Sequence, residues 1–153
     1  MNEWDADKIE ALTAQPYWIV DILPKQVPPD RSRQYATAEK WFLKEENLRK
    51  IRTAQAEVLI KLNCYFDLNA VGFEEETDIP ITPEQLERMI AKGKGVLQIA
   101  AEPAETLITL DHGDTYFTVY STSEELLELL RKLAEGSGLY VWQPADNQSQ
   151  TEG

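Results

Sequence analysis

The chain has 153 residues, 42% apolar and 27% charged, the proportions of one ordinary globular domain. They exclude a collagen-like, mucin-like or wholly disordered chain, and no run reaches the roughly 18 apolar residues of a membrane-spanning helix. Charge is the departure: 15 basic residues against 27 acidic give −12, with a pI near 4.5.

The first residues, Met1 to Asp7, have neither the basic region nor the apolar core of a secretory signal. Asp5 to Ala14 sets Ala6, Ile9 and Leu12 at helical spacing, and Pro16 closes that helix. Tyr17 to Leu23 is rich in aromatic and β-branched residues and reads as a strand stopped by Pro24. The stretch from Pro24 to Asp30 holds three prolines, which remove donors and fix φ, so it runs extended over the surface. A long helix is expected from Ser32, with Tyr35, Ala38, Trp41, Phe42, Leu48 and Ile51 near one face and Lys44-Glu45-Glu46 marking a kink or the wet side.

Between Glu57 and Asp67 the period changes to two. Val58, Ile60, Leu62, Cys64 and Phe66 alternate with Leu59, Lys61, Asn63, Tyr65 and Asp67, which predicts a strand with one buried face. Asn69 to Ile81 reads as a loop. Thr82-Pro83-Glu84-Gln85 then supplies an N-cap, a first-turn proline and the partner that closes a capping box. That helix turns Leu86, Met89 and Ile90 inward and ends at Gly93-Lys94-Gly95, after which the short apolar run Val96 to Ile99 has no clear assignment. Thr106 to Leu110 and Thr115 to Tyr120 flank Asp111-His112-Gly113-Asp114 as a hairpin. Thr122 to Glu125 offers a second capping box before the stripe Leu126, Leu127, Leu129, Leu130 and Leu133. Leu139 to Gln143 is a last strand.

This order predicts an α+β fold: residues 1–143 form a single domain around a mixed β-sheet of about five strands, with one antiparallel hairpin, two strand–helix–strand units and helices on at least one face. Residues 144–153 are polar and are expected to be a disordered tail. The charge is uneven. Residues 1–62 hold ten acidic and ten basic side chains, leaving 17 acidic and 5 basic in the remainder. Such a field repels nucleic acid and anionic membrane, and it favours a basic partner or simply keeps the chain dispersed.

Candidate chemistry is sparse. His112 between Asp111 and Asp114 resembles a base with its orienter, yet no nucleophile accompanies it and hairpin turns favour these residues for backbone reasons. Cys64 falls in the apolar register of its predicted strand, the place of a buried, inert thiol. Glu74-Glu75-Glu76 with Asp78 lacks the spacing of a calcium loop. Asp21, inside an apolar run, needs a partner, and Arg31 or Arg33 is the expected one. No glycine-rich phosphate loop, nucleophile elbow or zinc-protease motif occurs, so neither a cofactor nor a metal site is expected.

The aromatic pattern says more. Tyr65, Tyr116, Tyr120 and Trp142 fall on the sheet registers that point away from the first helical layer, and Tyr and Trp dominate binding hot spots. Whether that second face is open or covered by another helix is not decided by the pattern. The sequence therefore favours a cytoplasmic, non-catalytic protein-binding domain of inhibitor or immunity type, engaging a basic partner. Its contacts would be Tyr65, Glu74, Glu75, Glu76, Asp78, Tyr116, Tyr120, Glu124, Glu125, Glu128 and Trp142. The alternatives are a small carboxylate-based enzyme, with or without a divalent metal, and a homo-oligomeric accessory domain.

Overall fold

The computed structural model describes residues 6–71 and 81–144. Along them run α1 (Ala6–Thr13), β1 (Tyr17–Asp21), a single 3-10 turn (Pro29–Arg31), α2 (Ser32–Phe42), α3 (Glu45–Leu62) and β2 (Asp67–Val71). After the gap come α4 (Pro83–Lys92), β3 (Val96–Glu102), β4 (Thr106–Asp111), β5 (Phe117–Tyr120), α5 (Glu124–Gly136) and β6 (Tyr140–Trp142). The strands form one open sheet in the order β2-β3-β4-β5-β1-β6, and every neighbouring pair is antiparallel.

The α+β architecture stands, with six strands instead of about five and without the parallel pairing expected of a mixed sheet. The strand–helix–strand connection through α5 exists, and β5 and β6 point the same way. However, β1 lies between them and pairs with both. That strand carries Trp18 and Val20 on one face and Tyr17 and Ile19 on the other, and in its interior position Ile19 and Val20 are buried and Tyr17 and Trp18 part-buried.

The strand predicted over Glu57 to Asp67 is instead the end of α3 and the turn after it. Ile51, Gln55, Val58, Leu59 and Leu62 are buried at spacings of three and four. Leu59, placed on the polar side by the alternation, is fully buried. Five residues from Val58 to Leu62 fit either period. The helix prevails because it extends a run from Glu45 rich in Ala, Gln, Glu, Leu and Lys, with no Gly or Pro. The strand comes later, as β2, and takes up part of the predicted loop. Asn63 makes the turn: its Oδ1 accepts from the Leu68 N–H at 3.2 Å and its Nδ2 donates to Ile81 O at 2.9 Å.

The single long helix from Ser32 is also two. Lys44, extended at ψ 142°, separates α2 from α3. Because α2 buries none of its residues, Trp41 is left 52% exposed with Phe42 edge-on to it at 5.0 Å. The expected cap of α4 forms in full: Thr82 Oγ1 accepts from the Gln85 N–H at 3.1 Å, and the Thr82 N–H donates to Gln85 Oε1 at 2.9 Å. At α5 the cap is Ser123, whose Oγ accepts from the Leu126 N–H at 3.2 Å. The box expected from Thr122 is not made, because capping one residue later puts Leu126 where Glu125 was needed.

The core lies between the sheet and α3, α4 and α5. Val58, Leu59, Leu62, Leu86, Ile90, Leu126 and Leu130 close over Val20, Leu68, Ile99, Ile108, Phe117 and Val119. Each such side chain contributes about 1.5–3 kcal/mol through burial. Among the described residues the second face is packed against a helix at one end, where Leu12 and Ile9 of α1 lie on Val71, Ala100 and Leu107. Over β5, β1 and β6 it is left to a cleft. Among the described residues no helix is long and apolar enough to cross a membrane.

Candidate functional site

Strand alternation builds the floor of the cleft. Trp18 and Val20 go to the core, so Tyr17, Ile19 and Asp21 face the other way. The register places Tyr17 opposite Tyr120, and Ile19 opposite both Thr118 and Trp142. The Tyr17 and Tyr120 rings meet at 5.7 Å, tilted by 46°. One wall is the proline stretch, with Val27, Pro28 and Pro29, and α2 continues it with Ser32 and Tyr35. Its prolines hold φ fixed and offer no N–H, which suits a surface wall. Thr13 closes the α1 end, Tyr116 the opposite one, and the enclosed volume is about 640 Å³. That is within the roughly 300–1,000 Å³ usual for small-ligand sites.

Asp21 is the polar group at the bottom. It is 4% exposed, and its Oδ1 accepts from the Ile22 N–H at 2.7 Å. Burial pushes its carboxyl up from an ordinary 3.8 to about 6, Glu39 adds to the rise, and the N–H groups of Ile22, Leu23 and Trp142 oppose it. The Trp142 indole acts at a geometry short of a hydrogen bond, so its buried Nε1 has no hydrogen-bond partner among the described residues. The expected ion pair is absent. Arg31 and Arg33 are exposed, and among the described residues no cation acts on this carboxylate. The proline stretch and the following turn carry both arginines out to solvent.

The rim continues the negative field. The Tyr35 hydroxyl donates to Glu39 Oε2 at 3.2 Å, and burial with the Glu39 and Asp21 charges pushes Tyr35 up to about 12. Tyr116 is raised by burial and by Asp114, and Tyr120 by burial and by Tyr17. Asp114 is raised by burial, Asp111 and Glu39, against the Tyr116 hydroxyl and Arg52, which lower it. None of the described lining residues is Lys, Arg or His.

The residues expected at a site are therefore divided. Tyr116, Tyr120 and Trp142 come together in the cleft. Tyr65 does not: it follows α3 and is 67% exposed, off the sheet altogether. Glu124, Glu125 and Glu128 are exposed on α5, across the sheet from the aromatic face. There Glu128 pairs with Lys132 at 3.9 Å, and Arg131 lies over the Trp18 ring at 5.0 Å. Glu74, Glu75, Glu76 and Asp78, and the polar tail from residue 145, lie outside the described residues. Tyr17, Tyr35 and Asp21 belong to the cleft without having been expected there. The alternation of β1 could have placed Tyr17 and Asp21 on one face, but not beside β5 and β6.

Cys64 is exposed rather than buried, its thiol pointing back to Ile60 O at 3.7 Å, because α3 ends before it. His112 serves the hairpin turn. Its Nδ1 is 2.8 Å from Gly95 O and its Nε2 2.9 Å from Met89 O, which ties the turn to β3 and to the end of α4. Beneath it Arg52, 5% exposed, donates to Gln55 Oε1 at 2.9 Å, His112 O at 2.8 Å and Asp114 O at 2.9 Å. Among the described residues no three His, Cys, Asp or Glu side chains gather as a metal site.

Comparison of the chain with protein-family models, with curated proteins and with solved structures finds no match.

Proposed function

We propose that this protein is a non-catalytic binding domain that engages a basic protein partner through the aromatic cleft. One observation carries the reading: a buried carboxylate without a counter-charge sits at the bottom of a cleft framed by four tyrosines and a tryptophan. A charge kept in that position costs folding energy, and aromatic rings around it supply contact area at low entropy cost. The net charge of −12 favours encounter with a basic partner. The acidic residues of α5 belong to a different face and are not part of this reading.

The test is binding of fluorescent peptides of matched length, one Lys-rich and one Glu-rich, to the wild-type chain and to Tyr116→Ala and Trp142→Ala variants. Preference for the basic peptide, weakened by either substitution beyond what added salt does, supports the reading. Equal binding by all three proteins refutes it.

A second reading has its own observation. A cleft carboxyl at about 6 is poised to take up and release a proton near neutrality, as a small carboxylate enzyme requires. The described lining adds the hydroxyls of Thr13, Ser32 and Thr118 but no second carboxyl and no Cys, His or Lys. Conversion of a bound ligand, lost in Asp21→Asn, would favour this reading over simple binding.

A further inference from the structure

Resting on the reading of the cleft as a binding site, we propose that its occupant presents an organic ammonium group, seated among Tyr35, Tyr116 and Trp142 with the Asp21 carboxylate as its counter-charge. Charge complementarity is the first argument. The described lining holds no basic side chain, while Glu39 and Asp21 reinforce one another from α2 and β1. An anion would meet the repulsion of both carboxylates with no basic side chain in the described lining to offset it, and a neutral ligand would leave the Asp21 carboxylate as uncompensated as it is now.

The second argument separates organic from inorganic cations. Calcium needs six to eight oxygen ligands and magnesium keeps an octahedral shell. No cluster of three ligating side chains exists among the described residues. The Tyr35 and Tyr116 rings and the Trp142 indole, which line the cleft beside Asp21, offer instead the aromatic surface that attracts an organic ammonium. Size is the third. A volume of about 640 Å³ exceeds a single head group, and Ile19 and Val27 offer apolar wall to the chain that bears it. A lysine side chain of a basic partner and a free alkylammonium share this chemistry.

The experiment titrates the full chain with choline and with 3,3-dimethylbutan-1-ol, its neutral isostere, following the Trp142 indole N–H resonance. A second arm uses a Lys-rich peptide and its fully acetylated form. Choline should shift the resonance saturably and bind roughly tenfold or more tightly than the alcohol. Asp21→Asn, which keeps the side chain's shape, should remove that preference. Affinity should also fall as the pH drops below about 6, where Asp21, faced by Glu39 and Tyr35 of α2, by Tyr116 and by Trp142, takes up a proton.

Equal binding of choline and the alcohol would overturn the cation claim and leave a merely apolar cleft. Peptide binding indifferent to Asp21→Asn, with no choline binding, would overturn it while preserving the basic-partner reading. Choline binding without peptide binding would uphold it, name a free alkylammonium as the source and sink the protein-partner reading. No binding in either arm would overturn both.

Discussion

Replacing Asp21 with Asn should stabilise the protein, and by an amount that depends on pH in a calculable way. The side chain is 4% exposed, and its carboxyl titrates near 6 in the fold against 3.8 for an ordinary aspartate. An acid whose pKa rises on folding is held less well when ionised. Its cost is therefore absent at low pH and grows as pH climbs from the unfolded value to the folded one. At about 1.4 kcal/mol per pH unit, the rise to about 6 is a penalty of about 3 kcal/mol above pH 7, roughly half of that at pH 5 and little of it at pH 4. Asn keeps the oxygen that accepts from the Ile22 N–H and removes the charge. Urea unfolding of both proteins from pH 4 to 8 should show the variant gaining on the wild type as pH rises, with most of the change between pH 4 and 6.5. A stability difference that does not change with pH, or a variant less stable at pH 7.5, would refute the assignment of an unpaired, buried carboxylate.

Other perturbations test the framework that holds the cleft. Thr82→Ala deletes the side-chain acceptor of the α4 capping box and should cost about 1 kcal/mol, read as a lower urea midpoint with an unchanged slope. Arg52→Met leaves two turn carbonyls and Gln55 Oε1 without their charged donor, which should cost about 3 kcal/mol and speed amide exchange around His112. Gly93→Ala sets a methyl 2.7 Å from the His112 ring and against the Met89 carbonyl, so it should cost about 1–3 kcal/mol and shift the His112 resonances.

What could be read in the residues was local. The capping box at Thr82, the hairpin around His112 and the leucine stripe of α5 each depend on contacts within a few positions, and all are seen in the fold. Tyr116, Tyr120 and Trp142 were placed on one face for the same reason: alternation along a strand is local. Neighbourhood in the sheet is not. The cleft exists because β1, first in the chain, lies between β5 and β6, and only that order brings Tyr17 and Asp21 beside the other aromatics. Tyr65 lies off the sheet for a different reason. Four of the five residues from Val58 to Leu62 are apolar, a run too short to distinguish a helix from a strand, and the positions of Cys64 and Tyr65 depend on which forms. Buried charges are usually paired, and the lack of a counter-charge at Asp21 among the described residues is what marks the cleft out.

The most direct measurement is the titration of the Asp21 carboxyl itself, by the pH dependence of its carbon-13 resonance, in the free protein and with saturating choline. The account predicts a midpoint near 6 in the free protein, falling by about one unit for each tenfold preference of the ligand for the ionised form. A midpoint near 4 in the free protein, or one that choline leaves in place, would contradict it.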